Sequence, residues 1–295
     1  MRVLASIMSA TCVLVAVAAP ALGASLTAHE DCDADDPDRN IAGCTRIIED
    51  AAEGETMRAV AYVARGLAWQ AKGDLDHALA DYTGAIRINP KDALAYNNRG
   101  LLWREKGDAD RAIADLTDAI RIDPLPHSDL LGSGHVNIYA NRGLAWQSKG
   151  DLDRAIADFD QAIKLDPKDA EAYERRSQVF IAKRDADHAI ADLDEAIRLD
   201  PSRVSDHYLR GVVRYDRYMG FMGGGWIEKD DLERAIADFT EAIRLDANSA
   251  GCRYARALAW NTNGDRERAI ADLTEAVRLA PDNPQFAAAL KQLKP

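Results

Sequence analysis

Ala-Ile-Ala-Asp occurs five times in this chain, at 112–115, 155–158, 189–192, 235–238 and 269–272, and once more at 78–81 as Ala-Leu-Ala-Asp. Where no extra sequence intervenes, neighbouring copies are 34 residues apart. A fixed period of this size marks a solenoid, whose units pack only on their neighbours and whose core grows lengthwise. The same feature bounds function. A solenoid offers a long surface suited to another macromolecule rather than a closed catalytic pocket.

Each unit reads as two helices. In Ala93 to Pro126, Leu94, Tyr96, Leu101, Leu102 and Trp103 give the first helix its apolar surface. Lys106-Gly107 ends it, glycine being free to take positive φ. Asp108 caps the second helix, where Ala112, Ile113, Leu116, Ala119 and Ile120 recur at helical spacing. Asp123-Pro124 stops it, because proline lacks a donor and disfavours helical geometry before it. Small residues recur where paired helices must approach: Gly66, Gly100, Gly143, Ser177, Gly211 and Ala257 in the first helices, and Ala78, Ala112, Ala155, Ala189, Ala235 and Ala269 in the second. One Arg per unit (65, 99, 142, 176, 210, 256) and one Asp per unit (81, 115, 158, 192, 238, 272) point to a structural ladder between paired helices. A catalytic group would not be copied six times.

Tyr96, Gly100, Trp103, Ala112, Leu116, Ala119 and Pro124 reproduce, position by position, the signature of the tetratricopeptide repeat, and the chain resembles that family from about 59 to 283. The resemblance implies an all-α, right-handed superhelical solenoid of antiparallel helix pairs, with first helices lining a concave face. The expected units are 59–92, 93–126, 136–169, 170–203, 204–249 with an insertion, and 250–283. A helix over 284–295 carries Phe286, Ala289, Leu290 and Leu293 on one face and is expected to seal the end. At the other end, 24–58 is expected to form a cap: Arg39 to Thr45 mirrors Arg111 to Thr117, as in the second helix of a worn half repeat.

Residues 1–23 read as a signal peptide. Arg2 is followed by an apolar or small run from Val3 to Ala19, then Pro20 and Ala21-Leu22-Gly23, with small residues suited to cleavage after Gly23. The expected location is exported, periplasmic or secreted, with no membrane insertion after cleavage; an uncleaved anchor is the alternative. The Ala/Arg/Asp-rich repeats hint at a bacterial source. In an oxidising compartment Cys32 and Cys44 can close a short loop, a bond worth roughly 2–4 kcal/mol. A zinc site would need more soft ligands than the nearby His29 supplies. Cys252 reads as a buried small apolar residue.

The formal charge of −12 argues against a general nucleic-acid binder, which would need a basic face, and against adhesion to anionic lipid. No nucleophile–base constellation, metal motif or phosphate loop is visible, so neither enzyme activity, cofactor nor resident metal is expected. His127, Asp129 and His135, in an insertion at about 127–135, sit in a Gly/Ser setting that reads as a loop.

The expected function is a non-catalytic scaffold that binds a protein or peptide in the concave groove. Family geometry places Leu67, Leu101, Leu144, Val212 and Leu258 there, with Asn97, Asn98 and Asn141 beside them. Apolar anchors would supply affinity and the amides would pair with a peptide backbone. The basic clamp by which some family members bind an acidic C-terminus is matched only at Asn141 and Arg175. Tyr208 and Tyr254 stand one position later than the tyrosines of other units; one step turns a side chain by about 100°, which either carries it from the core toward the groove or is taken up by local adjustment of the helix. A second insertion, about 216–229, contains Phe221 and Trp226 among Met219, Met222 and glycines. It either extends the core or offers an adaptable contact surface. An accessory or regulatory subunit of an envelope enzyme complex, acting through that insertion, is the alternative reading.

Overall fold

The computed structural model describes residues 22–124, 138–222 and 230–294, with side chains from Leu26 onward. Fifteen helices and no strand lie among the described residues. The chain divides into two compact units, 1–151 and 152–295. The first contains α1 (Leu22–Cys32), α2 (Pro37–Glu49), α3 (Glu55–Ala71), α4 (Leu75–Ile88), α5 (Ala93–Glu105), α6 (Ala109–Ile122) and α7 (Ile138–Lys149). The second contains α8 (Leu152–Leu165), α9 (Ala170–Ala182), α10 (Ala186–Leu199), α11 (Val204–Tyr218), α12 (Asp231–Leu245), α13 (Ala250–Thr262), α14 (Arg266–Leu279) and α15 (Pro284–Leu293). Inside each unit every helix packs on the next, as a solenoid requires.

The recurrent phrase is explained letter by letter. Its first Ala is fully buried in all six copies, where any larger side chain would push paired helices apart. Its second residue contributes to the core, as Leu79, Ile113 and Ile236 do. Its third, such as Ala80 or Ala114, is exposed and serves helix propensity. Its Asp is the acceptor of the ladder. Arg65, Arg99, Arg176, Arg210 and Arg256 each donate to Asp81, Asp115, Asp192, Asp238 and Asp272, with closest approaches of 2.6–2.8 Å. The hydrogen bond to its Asp holds each of Arg65 and Arg99 above the usual guanidinium range.

The same guanidiniums reach back to the preceding helix pair. They donate to Thr45, Thr83, Thr117, Asp160, Asp194 and Thr240 respectively, counting Arg142 with the others. One side chain thus ties the two helices of a unit and joins successive units. A second ladder links Lys72 to Asp38, Lys106 to Asp76, Lys149 to Asp110, Lys183 to Asp153 and Arg217 to Asp187.

Gly73, Gly107, Gly150 and Gly264 take positive φ after the first helices, and the next amide bonds back five residues, as Asp74 N–H does to the Trp69 carbonyl. In the fourth unit Arg184 takes this position at φ 61°. A Cβ is strained there. Arg184→Gly is expected to raise stability by about 1 kcal/mol, measured as a higher denaturation midpoint; an unchanged or lower midpoint would contradict the strain argument.

Two differences from expectation stand out. Helix α3 begins at Glu55, a turn before Ala59, because Gly54 provides an extended cap there. Helix α11 runs two residues longer than α9, and Gly220 turns the chain afterward. At the N-terminal end α2 carries the 39–45 segment with Cys44 buried, and α1 packs on it. Residues 1–21 of the expected signal peptide, the 127–135 insertion and Trp226 lie outside the described residues.

Candidate partner-binding surface

In the first unit, the row expected from Leu67, Leu101 and Leu144 stands on α3, α5 and α7. Leu67 is exposed and the other two are half-buried. Exposure of large apolar side chains on neighbouring first helices is the property a contact surface needs. Val60, one face along α3, is 56% exposed and extends the row.

The asparagines depart from expectation. Asn97 and Asn98 are buried. Asn141 donates its amide to the Asn97 carbonyl oxygen at 2.8 Å, and Asn97 donates to that of Asn98 at 3.2 Å. Buried amides must find partners, and these find one another across α5 and α7. Asn97 and Asn98 therefore serve the packing beneath the row, and of the three only Asn141 is half-exposed.

In the second unit the displaced tyrosines are half-buried. Tyr208 packs on the clusters around Phe239 and around Ala242, Ile243 and Cys252, and burial pushes its phenol up. Tyr254 lies 4.9 Å from the ring of Phe286 on α15, so it helps seal the end. His207, in the usual tyrosine position, is buried with Nε2 3.1 Å from the Pro201 carbonyl oxygen. Val212 joins the Phe239 cluster at its edge, and Leu258 is half-buried. The second insertion splits. Tyr218 and Met222 pack on core clusters, whereas Phe221 is 61% exposed and Met219 is also exposed.

The polar character of this unit was not legible from the groove positions alone. Glu174, on α9, is buried and accepts from Gln178 and Arg203. Arg217 and Asp231 form a buried bidentate pair joining α11 to α12, at 2.6 and 2.7 Å. The signal available was Arg217 in register with Lys72, Lys106, Lys149 and Lys183, and Asp231 in register with the N-cap aspartates Asp74, Asp108, Asp185 and Asp265; nothing marked that the two would meet.

Burial raises the carboxyls of Asp206 and Asp216. A shallow depression of about 410 Å³ between the turns is lined by Lys106, Gly107, Asp108, Ala109, Asp110 and Lys149, where both lysines belong to the second ladder. Among the described residues no group of three or more His, Cys, Asp or Glu is placed to hold a metal ion, and no helix is long and apolar enough to cross a membrane. Cys32 and Cys44 are joined, with Cα atoms 4.6 Å apart, and His29 pairs with Glu53. Cys252 is buried, and desolvation pushes its thiol up, away from reactivity.

Tetratricopeptide repeat profiles match residues 93–124, 136–169, 170–203 and 227–284, and a TPR repeat profile matches 66–104. No curated protein matches the sequence. Among solved structures, YrrB, described as a TPR protein with an unusual peptide-binding site, is 20% identical over 71% of this chain and 97% of its own, with a TM-score of 0.53. PilF of Pseudomonas aeruginosa is 15% identical over 81% of this chain and 100% of its own, with a TM-score of 0.63. A tetratricopeptide repeat protein from Parabacteroides merdae is 18% identical over 92% of this chain and 97% of its own, with a TM-score of 0.61. The recurring helix pairs, their Gly and Ala seams and the matched profiles make one consistent assignment: this chain is a member of the tetratricopeptide repeat family.

Proposed function

We propose that this protein is a non-catalytic scaffold that binds a protein or peptide on the face formed by α3, α5 and α7. Tetratricopeptide folds are generally interaction scaffolds. The observation that carries the finer reading is the accessible row Leu67, Leu101 and Leu144 on successive first helices. These side chains would anchor apolar residues of the partner, and Asn141 would bond to its backbone. In the second unit, Tyr208, Val212, Tyr254 and Leu258 are partly engaged in packing, so their contribution would be secondary. Export of the chain, guided by its N-terminal segment, completes this reading: the partner would be an envelope or extracellular protein.

Crosslinking followed by pull-down from the native compartment tests it. Leu101→Glu/Leu144→Glu is expected to reduce capture of the wild-type partners by about tenfold or more, with an unchanged helical spectrum, because two charges would be buried in an apolar contact. Equal capture by wild type and variant would defeat the proposal. A second reading, an accessory subunit acting through the 216–229 insertion, draws on the exposure of Phe221 and Met219. Loss of the same partners in Phe221→Ser, but not in the leucine variant, would favour it.

A further inference from the structure

Among its described side chains, the N-terminal helix α1 buries only Ala28 and Cys32 against the array. Within the buried cluster at this end, Ala28 and Cys32 come from α1, while Cys44 and Ile47 come from α2 and Ala61 from α3. Leu26, the largest apolar side chain described on α1, is 45% exposed. The other ties are polar. His29 meets Glu53, Asp31 meets Arg39 and Arg46, and the Asn40 amide donates to the Cys32 carbonyl oxygen. Arg39 and Arg46 are well exposed, and exposed ion pairs contribute little net stability. An isolated helix of eleven residues is itself marginal in water.

The seat of α1 is nonetheless closely fitted. A Cβ at Gly43 would come within 2.6 Å of the Asp31 backbone carbon, so α2 accepts the end of α1 only because position 43 has no side chain. Beneath α1 lie Cys44, Ile47 and Ala61, all essentially without solvent exposure. Two small apolar anchors and a fitted seat describe a part that is positioned by its neighbours and fastened by its covalent bond.

We infer that the Cys32–Cys44 bond is a redox-operated fastening: it holds α1 over α2 and α3, and its reduction releases α1 and uncovers the Cys44–Ile47–Ala61 face while the rest of the array stays folded. The reductant is a dithiol. Its thiolate attacks one cysteine sulfur, breaking the S–S bond and forming a mixed disulfide. Its second thiol then displaces that cysteine. Two electrons and two protons pass to Cys32 and Cys44, and the dithiol ends as a disulfide. Both cysteines are buried, so the attack follows local opening of α1 at Cys32, its last residue.

Hydrogen exchange read by mass spectrometry tests this on the full chain, with and without a dithiol. Reduction is verified by a mass gain of two hydrogens. The expected result is loss of amide protection over 27–32 on the order of thirtyfold, while α5 and α6 keep theirs. Cys32→Ser in the absence of reductant should show the same local loss, and oxidation of the reduced wild type should restore protection. Unchanged protection of 27–32 after complete reduction would overturn the inference. So would loss of protection across α1 to α6 together, since the bond would then be a global staple.

Discussion

Asp231→Ala is expected to destabilise the second unit by about 3–5 kcal/mol. Asp231 has no solvent exposure and Arg217 very little. The guanidinium donates Nε and Nη2 to the two carboxylate oxygens, and its Nη1 reaches Asp187 at 2.7 Å. Half-exposed Asp187 would remain after the substitution, but it meets only one edge of the cation. The remaining donors would stay desolvated without their acceptor. Asp230 provides the internal comparison. It pairs with Arg234, both about half-exposed, and such a pair contributes at most about 1 kcal/mol. Urea denaturation of Asp230→Ala and Asp231→Ala should therefore separate clearly. If the two variants shift the midpoint equally, the burial argument is wrong.

The contrast between these adjacent aspartates shows what was legible in the sequence. Periodicity exposed the scaffold, because a solenoid repeats its packing problem and hence its solution: the buried Ala78, Ala112 and their equivalents, the Asp N-caps, the glycine turns and the Arg–Asp ladder. It even contained the inter-unit acceptors, since Thr83, Thr117, Asp160, Asp194 and Thr240 stand two residues after the ladder aspartates, and Thr45 marks the same place in α2. What one sequence could not reveal was any arrangement occurring once. Asp231 stands in register with the N-cap aspartates Asp74, Asp108, Asp185 and Asp265, but after the insertion it falls inside α12 and meets Arg217 instead of capping the helix. Asn97 and Asn98 look like groove residues by position, yet the arrival of Asn141 from α7 turns them inward to satisfy one another. Tyr208 and Tyr254, displaced by one step, find Phe239 and Phe286 rather than open surface. Repetition encodes the frame; the exceptions depend on neighbours that no periodic rule supplies.

Phe239→Ala is expected to cost about 3–5 kcal/mol, because its ring is almost fully buried and fills the seam between α11 and α12. The seam is matched in size on both sides. A Cβ at Gly211 would lie 2.6 Å from the Phe239 ring, and one at Gly66 would lie 2.7 Å from that of Tyr82. Where the corresponding first-helix residue is Ser177 or Ala257, the second-helix residue is Leu193 or Leu273. Gly66 and Gly211 thus face planar rings, Ser177 and Ala257 go with leucine, and Gly100 also meets a leucine, Leu116. Gly211→Ala alone should cost about 1–3 kcal/mol by overpacking. Phe239→Leu alone should leave unfilled volume. Combined, they recreate the Ala257–Leu273 pairing, so the double variant should be more stable than the sum of the single effects by about 0.5–3 kcal/mol. Hydrogen exchange of α11 and α12 reads this coupling locally, and α3 to α6 serve as the unaffected reference because repeat arrays transmit packing changes to nearest neighbours first. Strict additivity would show that Gly211 is not there to admit the ring.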